Sequence, residues 1–235
     1  FGYDTTVQHV TVPEERLLAV LEPQGAAAPA TGAEEDIVRA ALAHPIGAPA
    51  LRRVVRPGEK VAIVTSDVSR PMPTWKVLPA VLEELWAAGA APEDVTLVFA
   101  RGVHRAHTEE ERRRLAGEAA WGKIACVDSD PEDTVTVGVT RRGTPVEIMR
   151  AVAEADRRIL LGNIEFHDFA GFSGGAKALM PGVSTRAAIR CNHSHMAEPG
   201  AKAGVLEGNP VREDLEEAAA IVGADYIVNV VLDAH

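Results

Sequence analysis

Lys177 closes a glycine-rich run, Gly171-Phe172-Ser173-Gly174-Gly175-Ala176-Lys177, and is followed by Ala178-Leu179-Met180-Pro181-Gly182. Glycines lack Cβ, so backbone N–H groups can converge on an anion, and Ser173 adds a hydroxyl donor. The turn therefore suits a phosphate or another negative group with an amine beside it. It is not a P-loop, which needs four residues between its first glycine and the Gly-Lys pair and a Ser or Thr after the lysine. Alone, the segment reads more simply as a tight turn with a solvated lysine. Three other stretches carry reactive side chains: Ser66-Asp67-Val68-Ser69-Arg70-Pro71, Arg101-Gly102-Val103-His104-Arg105, and Asn163 to His167. A histidine with a pKa of about 6.5 can take and return a proton near neutrality. Arg70 or Arg105 can hold a carboxylate in a bidentate fork, and Asp67 can orient a histidine or a ribose hydroxyl. In Cys191-Asn192-His193-Ser194-His195 the two histidines at i and i+2 diverge on a helix or a strand, so at most one faces a shared site.

The elements that must position these residues alternate strand and helix. Val61-Ala62-Ile63-Val64 and Val95 to Ala100 are continuous apolar runs, as expected of strands covered on both faces. Ile159-Leu160-Leu161 is another, and Ile124 to Val127, Val135 to Val139 and Tyr226 to Leu232 add further strands. Each of the first three ends in a polar loop, carrying Asp67 and Arg70, His104 and Arg105, or His167 and then Lys177. In open α/β sheets ligands sit at the carboxyl ends of strands, so these loops can share one crevice. Trp75, Leu78, Val81, Leu82, Leu85 and Trp86 recur at helical spacing between Pro73-Thr74 and Gly89. Thr108 and Glu111 form a capping box. Glu34 to Ala43 reads as a helix, and Asn209-Pro210 opens another through Val222. At the amino end Val7 to Val12 and Arg16 to Leu21 alternate around Pro13-Glu14 as an antiparallel pair, and Gln24 to Gly32 is a linker-like loop. The expected fold class is α/β, a Rossmann-like, mostly parallel sheet flanked by helices, with a small antiparallel strand pair at the amino end.

At 235 residues the chain can bury a substantial core. A formal net charge of -10 argues against a nucleic-acid groove, and the apolar runs are too short to span a bilayer. Cys126 and Cys191 lack CxxC spacing, so neither a disulfide framework nor a zinc knuckle is indicated, and a reducing cytoplasm is the expected location. His9, His44 and His235 read as surface or capping residues.

Several segments in register then carry a resemblance: Ser66-Asp67-x-x-Arg70-Pro71-x-Pro73, Gly102-x-His104-Arg105, His167-x-Phe169-Ala170-Gly171-Phe172-Ser173-Gly174-Gly175-x-Lys177, Pro181-Gly182 and Asn192-His193-Ser194. In order and spacing they resemble the lactate racemase (LarA-like) family, over nearly the whole chain from Pro45-Ile46-Gly47 to Asn229-Val230-Val231-Leu232-Asp233. The resemblance implies that residues 1–235 form an amino-terminal cofactor-binding and catalytic domain. It also implies a partner carboxyl-terminal domain that this chain does not include. It further implies a nickel-pincer nucleotide, a pyridinium mononucleotide whose two sulfur arms bind nickel. In that reading Lys177 tethers one arm, His193 ligates nickel, and His104 and His167 are the paired acid/bases. Asp67, Ser173, Gly174 and Gly175 belong to the cofactor site, and Arg70 holds the substrate, a small 2-hydroxy acid. The sequence departs from the family pattern at Ala176, where Arg is usual, and at Ala178, where Ser is usual. One cation and one hydroxyl are thereby lost near the phosphate.

The chemistry agrees with that implication. Removing the α-proton of a 2-hydroxy acid leaves a poorly stabilised carbanion beside a carboxylate, whereas removing hydride leaves a planar keto group open from either face. The two enantiomers present their hydroxyl in different places, a reason for two histidines. Two alternatives remain at this stage. One is a zinc hydrolase with His104, His167 and His193 as ligands and Asp67 activating water. The other is a non-catalytic nucleotide- or cofactor-binding domain.

Overall fold

The computed structural model describes residues 2–3, 6–20 and 32–232, in two units, Phe1–Thr31 and Gly32–His235. In the first, strands β1 (Gly2–Tyr3) and β2 (Thr6–Val7) pair antiparallel, Gly2 opposite Val7. The pair expected at the amino end is thus present but earlier in the chain, and residues 8–13 and 17–20 join no strand. Pro13 instead opens a 3-10 turn over Glu14–Arg16, and Val10, Val12, Leu18 and Val20 stay exposed, so their alternation packs on nothing. Most of the Gln24 to Gly32 stretch, with Asp233 and His235, lies outside the described residues.

The second unit runs α1 (Glu34–Ala43), β3 (Val61–Ser66), α2 (Thr74–Ala87), β4 (Val95–Ala100), α3 (Glu109–Ala120), β5 (Ala125–Asp128), β6 (Thr134–Val139), β7 (Pro145–Met149), α4 (Arg150–Ala153), β8 (Arg157–Asn163), β9 (Phe166–His167), β10 (Gly171–Phe172), α5 (Arg186–Ser194), α6 (Pro210–Val222) and β11 (Tyr226–Val230). Five strands form one all-parallel sheet in the order β11-β8-β3-β4-β5. From β3 the chain steps outward to β4 and β5, then returns past β3 to add β8 and β11. Right-handed crossovers that step in opposite directions deliver their helices to opposite faces. Accordingly α2 and α3 cover one face and α6 the other.

Alternation along each strand divides the core. Ile63, Leu97, Phe99, Ile159 and Leu161 point into the layer with α2 and α3, while Ala62, Val64, Val98 and Leu160 point into the layer with α5 and α6. All are essentially inaccessible, each large side chain stabilising the fold by about 1.5–3 kcal/mol. On α2, Leu78, Val81, Leu82 and Leu85 are buried as their spacing predicts, whereas Trp75 and Trp86 sit at the edges of the apolar face and are partly exposed. The Thr108–Glu111 capping box is formed, and His44 bonds back to the Ala40 carbonyl at the end of α1. The predicted strand at 135–139 is real but lies outside the main sheet. It pairs antiparallel with β7, which sequence reasoning missed.

An ion cluster pins the amino ends of three central and edge strands together. Arg157, opening β8, makes a two-pronged bond to Glu59 at 2.8 and 2.7 Å, just ahead of β3, and reaches Asp225, just ahead of β11, at 3.0 Å. The Arg157 bond holds the Glu59 carboxyl down to about 2, against the opposing effect of burial. A carboxylate depressed in the folded state contributes stability that is full above its unfolded value near 4.3 and is lost as pH falls toward 2. Replacing Arg157 with Ala should therefore cost about 1.5–3 kcal/mol at neutral pH. Urea unfolding at neutral pH and near pH 3 should show the difference from wild type shrinking in acid. A constant difference would place the effect in packing rather than charge.

Candidate active site

The strand order reverses between β3 and β8, and the chains leaving their carboxyl ends part to either side, which opens a crevice there. The loop after β3 supplies Asp67 and Arg70, and the loop after β4 supplies His104. The segment after β8 supplies His167, Ser173, Gly174 and Lys177, and the last turn of α5 supplies His193. All of them line one cavity of about 140 Å³. Gly175 does not line it. His195, two residues past His193, turns away to bond Glu198.

His104 is held by Asp67, which is 5% exposed and accepts from His104 Nδ1 at 2.6 Å and from the Ser69 hydroxyl at 2.6 Å. A carboxylate only accepts, so Nδ1 carries a proton, and in the neutral ring Nε2 keeps its lone pair. His167 is fixed in the opposite sense. Its Nδ1 accepts the Ala170 N–H at 3.3 Å, so in the neutral ring the proton is on Nε2. Burial, with the Lys177 and Arg70 charges adding to it, pushes His167 down to about 4 and keeps it neutral across the ordinary pH range. Phe169 stands edge-on to both His167 and His193, with ring centroids 4.7 and 5.1 Å away, and fixes their separation. His193 Nδ1 meets Asn192 Oδ1 at 3.1 Å, and burial followed by the Lys177 charge lowers its pKa.

Lys177 is the most perturbed base in the crevice. Burial lowers it to about 7, helped by the Arg70 and Arg212 charges and opposed by Glu165. The neutral, nucleophilic amine is therefore accessible near neutral pH. Arg70 faces Glu165 at 3.5 Å, both partly open to solvent, whereas Arg105 is committed to Glu111 at 2.6 and 2.8 Å. Of the two arginines, Arg70 alone lines the crevice.

The glycine turn is locked from behind. Gly174 and Gly175 have φ of +76 and +54, and the Gly175 N–H donates to Asn229 Oδ1 on β11 at 3.1 Å. Gly162 on β8 lies so close that a Cβ there would come 2.9 Å from Gly174 Cα. Ser173 differs from the free donor that the sequence led us to expect. Its hydroxyl donates to the Asn163 carbonyl at 2.6 Å and accepts the Glu165 N–H at 2.9 Å, so it ties the loop after β8 shut. Sequence reasoning assigned no role to Ser69, Glu165 or Asn229. Ser69 and Glu165 lie within the polar loops already singled out, and Asn229 is a polar residue inside an otherwise apolar strand. Among the described residues no three His, Cys, Asp or Glu side chains come together as a metal-binding group, so the histidines do not form a three-ligand zinc centre.

A lysine lowered in the folded state sheds a proton that the unfolded chain retains, so stability should rise with pH between about 7 and about 10.4. Reductive methylation with labelled formaldehyde followed by NMR titration should show one dimethyl-lysine signal moving near pH 7. Lys177→Met should delete that signal. If every lysine titrates in the ordinary range, the amine is solvated and the nucleophilic reading fails.

Residues 3–204 match the model of the lactate racemase N-terminal domain. The chain is 34% identical over 228 residues to the lactate racemase of Thermoanaerobacterium thermosaccharolyticum, covering 95% of this chain and 53% of that protein. It is 32% identical over 237 aligned positions to the lactate racemase of Lactiplantibacillus plantarum, covering 98% and 55%. The solved lactate racemase apoprotein from T. thermosaccharolyticum superposes with a TM-score of 0.80 at 37% identity, over 86% of this chain and 49% of that one. The chain thus spans about half the length of the curated relatives it matches. Among the described residues no helix is long and apolar enough to cross a membrane. The α/β sheet, the site at its switch point and these matches together show that the chain belongs to the lactate racemase N-terminal domain family.

Proposed function

We propose that this domain is the cofactor-binding and catalytic half of a 2-hydroxyacid racemase or epimerase that uses a nickel-pincer nucleotide. The observation that carries the reading is the opposite presetting of two histidines in one crevice. His104 offers a bare Nε2 and His167 an Nε2–H. Inverting a carbinol centre through a keto group needs the hydroxyl proton taken and then returned: His104 takes it at Nε2 and returns it as the imidazolium, while the neutral His167 donates a hydrogen bond from Nε2–H to the reacting oxygen.

The side chains fit the proposed group. A neutral Lys177 amine can attack the carbonyl carbon of a thioacid arm, the thioamide C–N bond forming as water is lost. His193 brings a single imidazole donor, which suits a metal whose other ligands are soft sulfurs of the nucleotide. When bound, the group supplies a hydride acceptor. The chain's own residues then do the rest. Arg70 exchanges its Glu165 partner for the substrate carboxylate in a charge-assisted fork. The buried Asp67 keeps His104 in the tautomer that accepts the hydroxyl proton and stabilises the imidazolium that results. His167, held neutral by burial, hydrogen-bonds the substrate oxygen through Nε2–H, and takes the proton from the other hand of the substrate only with its tautomer reversed. The loss of a cation and a hydroxyl at Ala176 and Ala178 leaves backbone N–H groups of the glycine turn as the donors toward a phosphate, since Arg212 is bound to Glu216 and to the Phe172 carbonyl, and it bears on substrate choice. The lactate racemases this chain resembles act on lactate; for this chain the substrate class proposed is a small 2-hydroxy acid.

In the protein that joins this domain to its carboxyl-terminal partner, His104→Ala and His167→Ala should each lower racemisation at least about a hundredfold while still retaining cofactor. Polarimetric or chiral chromatographic assay of lactate and larger 2-hydroxy acids reads the rate, and intact mass reads cofactor retention. Near-normal turnover in either variant would overturn the two-histidine scheme. The domain of residues 1–235 alone, with its crevice open, should show negligible turnover even when loaded.

A further inference from the structure

Behind His193 lies a buried polar relay with no solvent to supply alternatives. Asp214 on α6 is 1% exposed, and Asn192 on α5 is fully buried. One Asp214 oxygen accepts the Thr140 hydroxyl at 2.5 Å, and the other accepts the Thr144 hydroxyl at 2.7 Å and Asn192 Nδ2 at 2.8 Å. The same Nδ2 donates to the Val211 carbonyl at 3.1 Å. A carbonyl and a carboxylate can only accept, so the amide nitrogen of Asn192 must face them. Rotating the amide would set Oδ1 against two acceptors inside the core, at a cost of several kcal/mol. Oδ1 is therefore forced toward His193, and an amide oxygen can only accept. The His193 Nδ1 facing it at 3.1 Å must then carry the ring proton.

We infer that Asp214 and Asn192 are positioning residues that write the tautomer of His193, fixing Nδ1–H and leaving Nε2 as the bare nitrogen of a side chain that lines the crevice. The two threonines, at the two ends of the turn between β6 and β7, orient the carboxylate, so the antiparallel ribbon outside the main sheet has a task at the site. Only an unprotonated imidazole nitrogen can donate to a metal, and the hydrogen bond at the other nitrogen decides which one that is. The ligand role of His193 rests on the function proposed above. The tautomer and its cause do not.

Two-dimensional NMR of the 15N-histidine-labelled chain, without metal and at a pH where His193 is neutral, reads the tautomer directly. Wild type should show a proton-bearing Nδ1 and a bare Nε2. In Asn192→Leu, similar in volume and unable to accept, the Nδ1–H signal should be lost or become the minor form. In Asp214→Asn, whose side chain can still accept from Asn192, it should persist. A wild-type ring protonated at Nε2 overturns the inference outright, whether or not any variant folds. An Nδ1–H signal that survives in a folded Asn192→Leu also overturns it. Failure of the chain to capture nickel cofactor would count against the ligand assignment alone and leave the NMR result standing.

Discussion

The return of the chain past β3 is the constraint on which the rest depends. Had the strand after β5 continued outward, every connection would cross one face and no gap would form at the strand ends. Reversal puts β8 beside β3 with their following segments diverging, and the backbone N–H and C=O groups at that edge are left for loops and ligands. The reversal is also what lets two helical layers close on a sheet whose strands are apolar on both faces. Core and site are thus two outcomes of one topological choice.

Much of this was legible in the sequence because parallel strands buried on both faces announce themselves as uninterrupted apolar runs. Val61 to Val64, Val95 to Ala100 and Ile159 to Leu161 each mark a central strand, and the reactive residues lie in the loops directly after them. Lys177 and His193 were nameable by motif, but not the reasons they matter. Lys177's depressed pKa comes from burial and from Arg70 and Arg212, residues distant in sequence. The role of Ser173 was misjudged for a related reason. A hydroxyl in a glycine turn looks like a free donor until its partners in the loop after β8 are known. Asp214 gave a sign that went unread: at helical spacing with Val211, Leu215 and Ala218 it falls on the apolar face of α6, where an acid must have partners. The antiparallel pair at the amino end is present but lies earlier in the chain than the alternation suggested, because alternation is informative only where a second surface buries it.

The electrostatics of the crevice run against those of the molecule. A chain with a net charge of -10 gathers Arg70 and Lys177 at one cavity, with Arg212 near enough to act on Lys177, and partly buries them. Desolvation and mutual repulsion then favour the neutral amine of Lys177 and the neutral rings of His167 and His193 beside a permanent cation.

The contact of Gly162 with Gly174 has a consequence for how this site can change over generations. A close spacing in the site is set by a missing atom: any side chain at position 162 meets the turn that carries Lys177, and any at 174 meets the Asn229 amide. No single replacement at either position is then a small step. Alteration of the turn must instead come through Ala176 and Ala178, whose side chains are only partly buried. Diversity of substrate or cofactor handling within this architecture is thereby channelled to the two positions flanking the lysine, while the spacing behind it stays frozen.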